Sequence, residues 1–64
     1  MLKEYDVVRL KHAVKGIPVG TVGTIVHTFP QEPSVFWVEF PDAQIGEEDG
    51  VIEVWEKDLE AEGL

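Results

Sequence analysis

Few side chains in this 64-residue chain could do covalent chemistry, and each lacks the neighbours such chemistry requires. Ser34 is the one serine; it follows Pro33 outside any Gly-x-Ser-x-Gly setting, with no evident base to activate its hydroxyl. Thr21, Thr24 and Thr28 lie among valines and isoleucine, where β-branched side chains answer to strand propensity. His12 and His27 carry imidazoles, which are common metal ligands, but they sit at no recognised ligand spacing, so surface positions and no metal are expected. Glu47-Glu48-Asp49 offers hard oxygen ligands without the alternation of a calcium-binding loop, which fits a solvated acidic loop. The glycine-paced run Gly16 to Val26 ends in no Gly-Lys-Ser/Thr, so it is not a phosphate-binding loop. No catalytic group and no cofactor is expected.

Binding chemistry is better represented. Trp37, Trp55 and Tyr5 are large amphipathic aromatics of the kind that anchor protein interfaces, and Val35 falls on the same strand face as Trp37. A patch of Trp37, Trp55, Val35 and Tyr5 is therefore the leading candidate for docking another protein. The alternative is that the tryptophans cap the barrel ends or cover each other across strands. A different candidate is acidic: Asp42, Glu47, Glu48, Asp49 and Glu53 could occupy a basic site on a target, as an inhibitor, antitoxin or immunity-type protein would, with salt-sensitive association.

Charge narrows the partners. The net charge is −8, and residues 1–27 hold four cations against two acids while residues 28–64 hold eleven acids against Lys57 alone. Such a molecule repels nucleic acid and anionic membranes at long range, which favours a basic or neutral protein partner. Nucleic-acid binding through Arg9, Lys11 and Lys15 remains a minor alternative. No run approaches the apolar length of a membrane span, the start lacks a signal-peptide pattern, and there is no cysteine; a cytoplasmic location is expected.

Positioning these side chains requires strands. Tyr5 to Leu10 alternates as a first strand; Lys11 to Gly20 breaks into a loop whose Ile17 and Val19 could tuck back over the barrel mouth. Residues 21–29 make a second strand, with Gly23 marking a bulge or a close backbone approach. Pro30-Gln31-Glu32-Pro33 is a turn, and Ser34 to Phe40 a third strand forming a hairpin with the second, Phe36, Val38 and Phe40 facing the core. After an irregular acidic segment from Pro41 to Gly50, Val51 to Trp55 makes a fourth strand, with Ile52 and Val54 opposite Val51, Glu53 and Trp55. Glu56-Lys57-Asp58 reads as one tight 3-10 turn before a last short strand pinned by Leu59. The expected architecture is one all-β domain over residues 1–64, a small barrel of about five strands. Its edge strands and an apolar face of Val35, Trp37, Val51 and Trp55 make a weak homodimer a reasonable expectation.

The segments Asp6-Val-Val-Arg-Leu10, Gly20-Thr-Val-Gly-Thr-Ile-Val-His27, Val38-Glu-Phe40 and Lys57-Asp-Leu-Glu60 resemble a family of small bacterial proteins classed as a domain of unknown function. More distantly the chain is similar to barrels of the nitrile hydratase beta subunit, a photosystem I reaction-centre subunit and KOW modules. The resemblance implies an SH3-like barrel serving as an accessory or docking unit, and it carries no functional residues over. KOW modules depend on basic surface on RNA, whereas this chain has thirteen acids against five cations. The loop Lys11 to Lys15 is basic and lacks the aromatics that SH3 domains use to grip proline-rich ligands.

Overall fold

The computed structural model describes residues 2–41 and 50–62. Five antiparallel strands form one sheet in the order β4-β3-β2-β1-β5, the strand order of an SH3-like barrel. They are β1 (Val7–Leu10), β2 (Val22–Thr28), β3 (Val35–Glu39), β4 (Val51–Trp55) and β5 (Leu59–Ala61), with a 3-10 turn at Glu56–Asp58 between the last two. Strands β1 to β4 meander, and the tight turn after Trp55 returns the chain so that β5 pairs with β1.

Strand alternation places one side chain in two on the core. Val8 and Leu10 of β1, Ile25 of β2, Phe36 and Val38 of β3, Ile52 and Val54 of β4, and Leu59 of β5 are all buried, joined by Phe40 and Ile17. The expected core face of the third strand is thus the observed one, and Leu59 does pin the 3-10 turn. In the 11–20 loop only one of the two expected apolar residues returns to the core: Ile17 is buried, while Val19 is 63% exposed. Turn geometry explains the difference. Val14 and Ile17 exchange backbone hydrogen bonds of 3.0 and 2.8 Å around Lys15 (φ 50°) and Gly16 (φ 85°), a two-residue hairpin turn with both central residues left-handed. That hairpin aims Ile17 inward; Val19 then sits at the corner of the next turn, where Gly20 adopts φ 91° and the Thr21 hydroxyl donates to the Pro18 carbonyl at 2.8 Å.

Gly23 is a close approach and not a bulge. A Cβ there would stand 2.6 Å from the Glu39 carbonyl oxygen and 2.7 Å from Phe40 Cδ1, so only glycine lets β2 lie against the Phe40 ring. The bulge is further along, between Ile25 and His27: Ile25 pairs with Val38, His27 with Trp37, and Val26 is the extra residue. The first strand begins later than its alternation suggested. Tyr5 is in a turn at φ 73°, with Asp6 N–H donating to the Lys3 carbonyl at 3.0 Å, and it is 72% exposed.

Candidate functional site

The Val26 bulge decides what the outer face of the sheet presents. Side chains on a strand alternate, so Ile25 facing the core would put His27 in the core as well; one extra residue reverses the parity and sends His27 outward beside its partner Trp37. Phe29, two residues on, follows it. The three rings touch: His27 lies 4.7 Å from Phe29 and 5.2 Å from Trp37 between centroids, and Phe29 meets Trp37 edge to face at 5.4 Å. Edge-to-face contacts of this kind favour one arrangement of the rings over others, so the cluster is a shaped surface.

Strand β4 extends this surface. Trp37 faces Glu53 across the β3–β4 ladder, and Val35 faces Trp55. The tryptophans are thus diagonal neighbours, Glu53 standing opposite Trp37 and two residues before Trp55 on β4, and neither covers the other: Trp37 is 44% and Trp55 48% exposed. Val35 shares their face as expected but is only 7% exposed, so it is no contact residue on an open surface. It instead lines a groove of about 570 Å³ together with His27, Phe29, Pro30, Glu32, Glu53 and Trp55 among others. Half-buried Val51, the fourth residue of the expected apolar face, borders a smaller depression of about 310 Å³ with Trp37 and Glu53.

The Tyr5 ring makes no contact with these rings among the described residues. Tyr5 belongs to the Lys3–Asp6 turn, where the Asp6 carboxylate accepts from the Lys3 backbone N–H at 2.9 Å and from its ammonium at 3.1 Å. Those hydrogen bonds, first the side-chain one, hold the Asp6 carboxyl below the usual aspartate range. Of the acidic candidates, Glu53 is described and lies on the aromatic face; Asp42, Glu47, Glu48 and Asp49 lie outside the described residues.

The cations are largely committed elsewhere. Arg9 sits 3.0 Å from Glu60, its β5 partner in register, and 3.5 Å from Glu62. His12 Nδ1 lies 3.0 Å from Asp58 Oδ1, and Lys57 is 3.4 Å from the same oxygen. The His12 hydrogen bond, helped by Lys57, draws the Asp58 carboxyl below its ordinary value. With Arg9 and His12 paired, only Lys11 and Lys15 of the basic loop make no ion pair among the described residues.

Among the described residues no three His, Cys, Asp or Glu side chains are grouped to hold a metal ion, and no helix is long and apolar enough to cross a membrane. Comparison with protein-family models, with characterised proteins and with solved structures returned no match. The meaning of the site therefore rests on its own geometry.

Sequence reasoning identified the two tryptophans and missed His27, Phe29 and Glu32 as their neighbours. The sequence held no local signal for this: a four-residue Pro30–Pro33 turn would set His27 opposite Phe36 and face it inward with Ile25, and only the observed register, Thr28 opposite Phe36 and His27 opposite Trp37, shows the extra residue.

Proposed function

We propose that this protein is a non-catalytic protein-binding module that docks a basic or neutral partner on the outer face of β2, β3 and β4. The observation that carries this reading is the pairing of two tryptophans, each nearly half exposed, with a packed His27–Phe29 edge on one sheet face. Monomeric proteins expose large aromatic surface sparingly, and Trp is enriched where interfaces draw most of their energy. The face sits on strands whose inner apolar side chains Ile25, Phe36, Val38, Ile52 and Val54 are buried, so it costs little ordering on binding. A partner of basic or neutral surface fits the net charge of −8.

The test is affinity capture from source-cell lysate with wild-type protein beside a Trp37→Ser, Trp55→Ser variant, at low and moderate salt, with circular dichroism to show that both are folded. A partner retained by the wild type in moderate salt and lost with the tryptophans supports the docking reading. A partner indifferent to the tryptophans but released by salt would replace it with the acidic-inhibitor reading, in which Glu53 acts with other carboxylates on a basic target.

A further inference from the structure

The groove beside Trp55 has a composition that specifies more than a generic interface. Its lining is mainly aromatic and apolar, from His27, Phe29, Pro30, Val35 and Trp55, with the neutral polar Thr28 and Gln31, and its two charged lining residues, Glu32 and Glu53, are both exposed carboxylates. Neither Glu32 nor Glu53 takes part in an ion pair among the described residues, and no lysine or arginine lines the groove. An indole and two carboxylates without an ion-pair partner lining one groove attract a cation twice over, through the ring quadrupole and through direct charge.

We propose that this groove receives an arginine side chain from an extended, basic segment of the partner protein, an inference that rests on the docking reading above. Arginine fits better than lysine because its planar guanidinium can stack on the Trp55 ring while its fork of N–H donors reaches a carboxylate, and because it is the more weakly hydrated cation. Its aliphatic stem would lie against the Pro30 and Val35 side of the groove. A second copy of the chain is a poor occupant: two molecules of charge −8 repel, and Arg9, the one arginine, is already held by Glu60 and Glu62. A nucleic-acid backbone is excluded from a site whose only formal charges are negative.

The experiment is a two-dimensional amide and indole NMR titration of the 15N-labelled protein. The probes are three nine-residue alanine/proline peptides that differ only at the centre: arginine, lysine, or citrulline, the neutral shape-mimic of arginine. The arginine peptide is expected to shift the Trp55 indole, Val35 and Glu53 signals saturably, with lysine about threefold or more weaker and citrulline about tenfold weaker. Glu53→Gln, an exposed substitution that leaves the core untouched, is expected to weaken the arginine peptide about five- to tenfold and to leave the citrulline peptide unchanged. Equal binding of citrulline and arginine would overturn the inference while leaving the docking face intact. No shift in the groove with any peptide, or groove signals that move with protein concentration alone, would overturn it too, the latter assigning the groove to a second copy. The capture experiment reads the docking face independently of charge at this groove, so the two failures are distinguishable.

Discussion

Replacing Gly23 by alanine is the sharpest test of how this fold is assembled, because one methyl group meets backbone there. The added Cβ would lie 2.6 Å from the Glu39 carbonyl oxygen and 2.7 and 2.8 Å from two carbons of the Phe40 ring. Ordinary contacts begin near 3.4 Å, so the β2 and β3 backbones or the Phe40 ring must give by most of an ångström. The ring has no free side to move to, since Phe40 is fully buried and its backbone N–H is held by the Gly50 carbonyl at 2.9 Å. Overpacking of this kind costs about 1–3 kcal/mol, a weakened ladder hydrogen bond about 1 kcal/mol more, and the entropy gain of replacing a strand glycine returns about 0.5–1 kcal/mol. The net expectation is a loss of about 2–3 kcal/mol, which for a domain of this size lowers the melting temperature by roughly 10–20 °C. Thermal unfolding followed by far-ultraviolet circular dichroism, with urea unfolding by tryptophan fluorescence, measures it. An unchanged or raised melting temperature would mean that β2 does not approach Phe40 as described, and the account of the core would fail with it.

Three further outcomes follow from individual contacts. Lys15 holds φ 50° at the first central position of the Val14–Ile17 turn, which asparagine or glycine occupies with less strain; Lys15→Asn is expected to raise stability by about 0.5–1 kcal/mol in urea unfolding, and a loss would contradict the turn geometry. Asp58 is held below its ordinary value by His12 and Lys57, so its ionised form favours the folded state. That contribution is complete above the unfolded aspartate pKa of about 3.9 and disappears as pH falls through the lower folded value. Asp58→Asn should therefore be less stable than wild type near neutrality, with the gap closing below about pH 4; a gap constant down to pH 2 would refute the ion pairing as its source. Truncating the fully enclosed Phe40 to leucine should cost about 1–3 kcal/mol in thermal unfolding, whereas Val19→Ala, at a 63% exposed turn position, should stay within about 0.5 kcal/mol.

The parts of this molecule that were legible in its sequence are those where side-chain type and strand period agree. Phe36, Val38 and Phe40 alternate with Trp37 and Glu39, so the core face of β3 follows from counting, and Ile52 and Val54 fix β4 in the same way. The Glu56–Asp58 turn and the inward Leu59 were equally readable, because three polar residues between two short apolar runs leave little other geometry. What could not be read locally depends on neighbours distant in sequence. Gly23 reads equally as a bulge or a close approach because glycine marks both, and only the Phe40 ring decides between them. The true bulge at Val26 carries no special residue, yet it sets which way His27 points and hence whether Trp37 has aromatic company. Val35 was placed on the right face and wrongly left open, since its cover comes from residues not adjacent in sequence: it is buried, pairs with Trp55 and shares the groove lining with that ring and the 27–32 segment. Tyr5 is a left-handed turn residue, which the alternation of Tyr5 and Val7 concealed, and its ring is not among those that meet Trp37.

The central claim is that the outer face of β2, β3 and β4 is where this protein meets a partner. The most direct test is calorimetric titration of the captured partner with wild type, Trp37→Ser and Trp55→Ser at moderate salt, each variant first shown to keep the wild-type far-ultraviolet spectrum. The account predicts that each single substitution weakens binding at least tenfold, as loss of a central aromatic anchor does. Wild-type affinity in both variants would contradict it.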